Sequence, residues 1–139
     1  MSKVYDIPGK LTVEHDATTR AIIDTWSTYA VTLDEFREAV LTRGLSHAKL
    51  YKAQAWIVDS SRAVGAFSPE INKLIANEVF PAFVKNGIKY FLTITSHSAL
   101  TKLSIAGYTS QVGPSGMKLV ETRSAADAKA WLTLNAKMA

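Results

Sequence analysis

The segment from Trp56 to Ser96 constrains this chain most. It reads AWIVDSS, RAVGAF, SPEINKLIANEVFPAFVKNG and IKYFLTITS in succession. Trp56, Ile57 and Val58 are apolar on consecutive positions, and so are Tyr90, Phe91 and Leu92, with Ile94 following. That is the pattern of central strands buried on both faces. Between them Ser68 supplies an N-cap, Pro69 the first helical position and Glu70 a first-turn acid. Ile71, Leu74, Ile75, Val79 and Phe83 recur at helical spacing, and Asn86-Gly87 is a stop signal. A strand, a capped helix and a second strand of the same kind make a β-loop-α-β unit, which implies parallel strands joined by a crossover helix. Pro81 falls inside this helix, where its missing N–H and its ring predict a kink or a division.

The flanking sequence extends the pattern. LTVEHDA and RAIIDTWST read as two strands joined by Asp16-Ala17-Thr18-Thr19, hence a hairpin. Thr32 followed by Glu35 is a capping box, and Phe36, Ala39 and Val40 form the stripe behind it. Gly44 is expected to end or interrupt that helix, with a weaker helical stretch, SHAKLYK, after it. Ser98 caps a helix carrying Leu100, Leu103 and Ala106. Gly113-Pro114-Ser115-Gly116 is a loop, and residues 117–122 form a polar strand suited to a sheet edge. Ser124 caps a last helix whose Ala128, Trp131 and Leu132 share one face. The order is β-β-α-β-α-β-α-β-α: an α/β domain with a mixed, mostly parallel five-stranded sheet and about four helices. Whether the helices cover one face or both stays open.

With 139 residues, 47% hydrophobic and 20% charged, the chain suits one globular domain over residues 1–139. The formal charge of +4 contains no block of five like charges. Arg43, Lys49 and Lys52, and the separate Lys85 and Lys89, read as solvated faces, so no nucleic-acid partner is expected. The absence of cysteine excludes disulfides, thiolate metal sites and cysteine nucleophiles. His15 and His47 lack metal-ligand spacing, so no metal or other cofactor is expected. The N-terminus lacks an apolar signal region, and no apolar run approaches membrane-spanning length. A soluble, cytoplasmic protein is the expectation.

Candidate site residues follow from the parallel strands, because ligands sit where strand C-terminal ends meet helix N-termini. Asp59, Ser60, Ser61 and Arg62 end one strand; Thr95, Ser96, His97 and Ser98 end its neighbour. Together they would give one rim a cation, several hydroxyls, a histidine and two helix N-termini, which suits an anion. On this reading Asp59, Ser60, Arg62, Ser68, Ser96 and His97 bind ligand. The plainer reading makes the serines caps and pairs Asp59 with Arg62 or with loop amides. No G-x-S-x-G elbow accompanies His97, so no enzyme activity is expected. Trp26, Trp56 and Trp131 read as core. Phe80, Phe83 and Val84 flank Pro81, where a kinked helix would open an apolar groove or present a homodimer patch.

Taken together, the hairpin, the capped helix, the strand–D-S-S-R–loop–S-P-E helix and the closing A-x-x-W-L helix resemble the STAS domain. The likeness is to its SpoIIAA-like branch, related to CRAL-TRIO lipid-transfer proteins, and it covers roughly residues 10–134. The resemblance implies a non-catalytic regulatory or binding module for a small anionic or amphipathic, lipid-like ligand, or for a protein partner. The alternative it implies is an anti-sigma-factor-antagonist-type switch controlled by serine phosphorylation. Matched by topology, the phosphoacceptor position falls at Ser68 rather than in Asp59-Ser60-Ser61. There Pro69 and Glu70 replace the family's small residue and glycine, and Glu70 would repel a phosphoserine.

Overall fold

The computed structural model describes residues 1–136. A single six-stranded sheet carries the strands in chain order: β1 (Ser2–Ile7), β2 (Leu11–Asp16), β3 (Ala21–Trp26), β4 (Ala55–Asp59), β5 (Tyr90–Ile94) and β6 (Lys118–Thr122). The first two pairings are antiparallel and the last three parallel. The sheet is therefore mixed as expected, with six strands instead of five. The added strand, β1, is joined to β2 by the Pro8-Gly9 turn. Gly9 has φ +74° there, and the Lys10 N–H donates to the Ile7 carbonyl at 2.9 Å. Proline then glycine at the two central positions suits a type II turn. The strand itself gave little signal, because none of its residues is fully buried.

Among the described residues, four helices pack on the sheet. Helix α1 covers residues 33–50, as an α-helical turn Leu33–Phe36, a π-helical stretch Arg37–Gly44 and an α-helical stretch Leu45–Leu50. Helix α2 covers residues 69–85, as Pro69–Leu74, a π-helical stretch Ile75–Val79 and Phe80–Lys85. Helix α3 is Ala99–Thr109 and helix α4 is Ala125–Asn135. Residues 112–115 form a single helical turn where a loop was expected.

From β3 to β6 each strand is laid beside the last in the same direction. Right-handed crossovers then force α1, α2 and α3 onto one face. Helix α4 follows the last strand, is free of that rule, and covers the other face. Side-chain parity matches this division. Ile22, Trp26, Trp56, Val58 and Phe91 point into the larger core under α1–α3, whereas Ala21, Ile23, Ala55, Ile57 and Leu92 meet Ala128 and Leu132 of α4. Trp131 is half-buried and meets Tyr90 edge-on at 5.5 Å.

Two local expectations, at Gly44 and on helix α3, are corrected, and one, at Pro81, holds. Gly44 does not end α1; it lies inside the helix, against Trp56. Pro81 divides the helix as expected: a π-helical stretch ends at Val79, and the α-helical stretch Phe80–Lys85 restarts with the proline in its first turn. Helix α3 buries Thr101, Ser104, Ile105 and Tyr108, leaving Leu100 and Leu103 exposed at 55% and 71%. The loop after β4 decides that face. Thr101 Oγ1 donates to the Gly65 carbonyl at 2.6 Å, and Ser104 Oγ accepts the Phe67 N–H at 3.2 Å. Turning the leucines inward would strip both loop groups of their partners.

Candidate functional site

Under α1 and α2 the core holds a small void of about 30 Å³, space for roughly one water molecule. Its walls are aromatic and aliphatic: Phe36 and Val40 from α1, Ile75, Val79, Phe80 and Phe83 from α2, and Trp56 from the sheet. Phe80 and Phe83, expected at a groove or a homodimer patch, are each 1% exposed and belong to this interior. Val84 beside them is 40% exposed.

One charged residue interrupts the apolar lining. Asp24, in the middle of β3, shares the inward parity of Ile22 and Trp26 and is 2% exposed. Its Oδ2 accepts the Trp56 indole N–H at 2.9 Å. Its Oδ1 is buried and accepts no hydrogen bond from any described residue. Burial raises the pKa of this carboxyl from 3.8 to about 7, and the Trp56 bond only partly offsets that rise. Stacking of Trp56 on Phe83, with ring centres 4.1 Å apart, fixes the indole and so orients the carboxylate.

A chain of hydroxyls borders the same void. The Tyr29 hydroxyl bonds the Tyr108 hydroxyl at 2.9 Å and also Ser60 Oγ. Tyr108 lines the void. Burial pushes Tyr29 up to about 12 and Tyr108 well above the ordinary phenol range, so both stay protonated. Phe67 stacks flat on Tyr29 at 3.8 Å and holds it in place.

The strand-end rim gathers the expected residues but uses most of their polar atoms internally. Asp59 Oδ1 accepts from the Ser61 N–H at 3.0 Å and the Ser61 hydroxyl at 2.7 Å, an Asx turn in place of a pair with Arg62. Ser60 is buried and belongs to the tyrosine chain. Ser96 Oγ donates to the Ala63 carbonyl at 2.6 Å and accepts the Ser98 N–H at 3.0 Å. Ser68 caps α2 by accepting the Ile71 N–H at 3.2 Å. Arg62 and His97 are exposed. Strands β4 and β5 pair in parallel, Asp59 opposite Ile94, so the two rim loops do lie side by side.

Asp24, Tyr29 and Tyr108 were missed by reading the sequence. A signal for Asp24 was present: in AIIDTW, period-two parity places it on the face of Ile22 and Trp26. The tyrosines had no comparable mark, because Tyr29 follows β3 in irregular structure and Tyr108 is 79 residues further along.

Comparison of the chain with protein-family models, with curated proteins and with solved structures finds no match. Among the described residues no helix is long and apolar enough to cross a membrane.

Proposed function

We propose that this protein is a non-catalytic binding module that admits a small amphipathic ligand between the sheet and helices α1 and α2. The observation that carries the reading is the composition of the void's roof. Val40 from one π-helical stretch and Ile75 and Val79 from the other converge on it. Such stretches are rare and recur at functional sites. At the surface, the two helices are separated by a cleft lined by Leu33, Arg37, Leu74 and Glu78. The Arg37–Glu78 ion pair, 3.3 Å long and solvent-exposed, spans that cleft. Exposed pairs of this kind hold weakly, on the order of 0.2–1 kcal/mol, so parting the helices costs little at that contact. The resemblance read from the sequence implies a ligand of the same kind.

The rim at Asp59, Arg62, Ser68, Ser96 and His97 is proposed as the outer face of the same module. Ser60 links it to the interior through Tyr29. An anionic group or a protein partner would meet Arg62 and His97 there. The phosphorylation switch is the weaker alternative, since Ser68 is occupied as a cap and Glu70 is its near neighbour.

Filling the void tests the reading. Val79→Leu adds one methylene where about one water's volume is free, and burying it should stabilise the fold by up to about 0.8 kcal/mol. An eight-carbon chain needs several times this free volume, so it enters only as α1 and α2 part; calorimetric titration with 1-octanol should then show saturable binding to the wild type and weaker binding to Val79→Leu. Absence of saturable binding by the wild type to 1-octanol, octylamine, octanoate and methyl heptanoate alike would refute interior binding.

A further inference from the structure

We infer that the ligand taken into this interior carries a hydrogen-bond-donating head, an alcohol or an amine, and that Asp24 Oδ1 receives it. This rests on the interior-binding reading above and specifies its chemistry. Three observations support it independently of the void's size.

The first is geometric. Asp24 is held by one oxygen only. Trp56 takes Oδ2 and is itself clamped by Phe83, so the carboxylate cannot turn Oδ1 toward another partner without losing the indole bond. Oδ1 is left buried and unshared against the apolar lining. A buried acceptor with no partner is costly, and a donor delivered to it removes that cost.

The second is charge. None of the described residues lining the void is a lysine, arginine or histidine. A fatty-acid carboxylate would meet the Asp24 carboxylate with no cation between them. An ammonium would find its counter-charge, and a hydroxyl would find its acceptor.

The third is the hydroxyl chain. Tyr29, Tyr108 and Ser60 hold three protons, and their two mutual hydrogen bonds use two of them. One proton is left over. Either hydroxyl of each pair can be the donor, so that proton can reside on Tyr108, which lines the void, or on Tyr29 or Ser60. With the proton on Tyr108, a hydroxyl head is served twice, as donor to Asp24 and as acceptor from Tyr108. Among the described residues, the titratable groups facing Asp24 are these two tyrosines, and both remain neutral over the range used below.

The test uses the intact chain, stripped of bound lipid, and four eight-carbon probes: 1-octanol, octylamine, methyl heptanoate and octanoate. Binding is read by calorimetry and by intrinsic tryptophan fluorescence, to which Trp26 and Trp56 at the void contribute, at pH 8, where the Asp24 carboxyl is mostly ionised. The alcohol and the amine should bind at least tenfold more tightly than the ester and the acid. In Asp24→Asn the side-chain oxygen can keep the indole bond while an NH₂ replaces the acceptor. That variant should lose the preference and gain affinity for octanoate. At pH 5 the wild-type carboxyl is protonated and can itself donate, so the preference should shrink there; this comparison needs no variant to fold. Equal binding of all four probes at pH 8 would overturn the donor-head inference and leave interior binding standing. Preference for octanoate would overturn it too. Failure of every probe would remove both.

Discussion

The Trp56 indole N–H donates to Asp24 Oδ2 at 2.9 Å, in the middle of the sheet and out of contact with water. This one bond ties β3 to β4 across the face that the helices cover. It also leaves the fold carrying a carboxyl whose ionisation the surrounding core opposes.

Stability should therefore depend on pH through Asp24. The folded state binds its proton more tightly than the unfolded chain, with a pKa near 7 against 3.8. The stabilisation is full below about pH 4 and is lost as pH rises through 7, a change on the order of 4 kcal/mol. Asp24→Asn cannot ionise and should flatten this dependence. Thermal melts from pH 4 to pH 8 should show the variant gaining on the wild type as pH rises, and overtaking it by pH 8. His15, whose pKa is lowered mainly by burial, titrates in both proteins. It destabilises both as pH falls below its unfolded value, so the difference between them isolates Asp24. Parallel melting curves across this range would show that Asp24 is not protonated in the fold.

Gly44 should resist substitution although it lies inside a helix. A β-carbon there would stand 2.7 Å from Cη2 of Trp56 and 3.0 Å from the Ala39 carbonyl oxygen. Alanine ordinarily favours a helix over glycine by about 1 kcal/mol. Here the indole is held by Phe83 and Asp24 and cannot easily give way. Gly44→Ala should therefore destabilise by about 1–3 kcal/mol, the usual range for overpacking, measurable by urea denaturation. A gain in stability would mean that the helix shifts freely over Trp56.

Ser68 should behave as a cap. Its hydroxyl oxygen accepts the Ile71 N–H, and Pro69 and Glu70 complete a helix start. Ser68→Ala should cost about 1 kcal/mol, whereas Ser68→Asp, which keeps an acceptor at a helix N-terminus, should recover most of it. Equal stability of all three proteins would show that the cap bond contributes nothing.

Much of this fold is legible from local pattern. The capping signals at Thr32, Ser68, Ser98 and Ser124 each start a helix, because a side-chain oxygen satisfies a first-turn N–H wherever the chain turns into one. The apolar runs at Trp56 and Tyr90 form buried parallel strands, because such strands have no face left for water. These are properties of a few consecutive residues, and neighbours in the sequence suffice to express them.

What tertiary structure decided lies between distant residues. Helices α1–α3 share one face and α4 takes the other because the strands succeed one another in order, a relation no single segment contains. Leu100 and Leu103 face solvent because loop groups at Gly65 and Phe67 claim the opposite side of α3. Gly44 stays within its helix because Trp56 lies beneath it. The candidate interior exists only because β3 brings Asp24, and α3 brings Tyr108, to the walls of one void. Hydrogen bonding and close packing act at a few ångströms in space, whatever the separation along the chain. Sequence pattern therefore determines where elements begin and which side chains are apolar; only their assembly determines which polar atom is left buried without a partner.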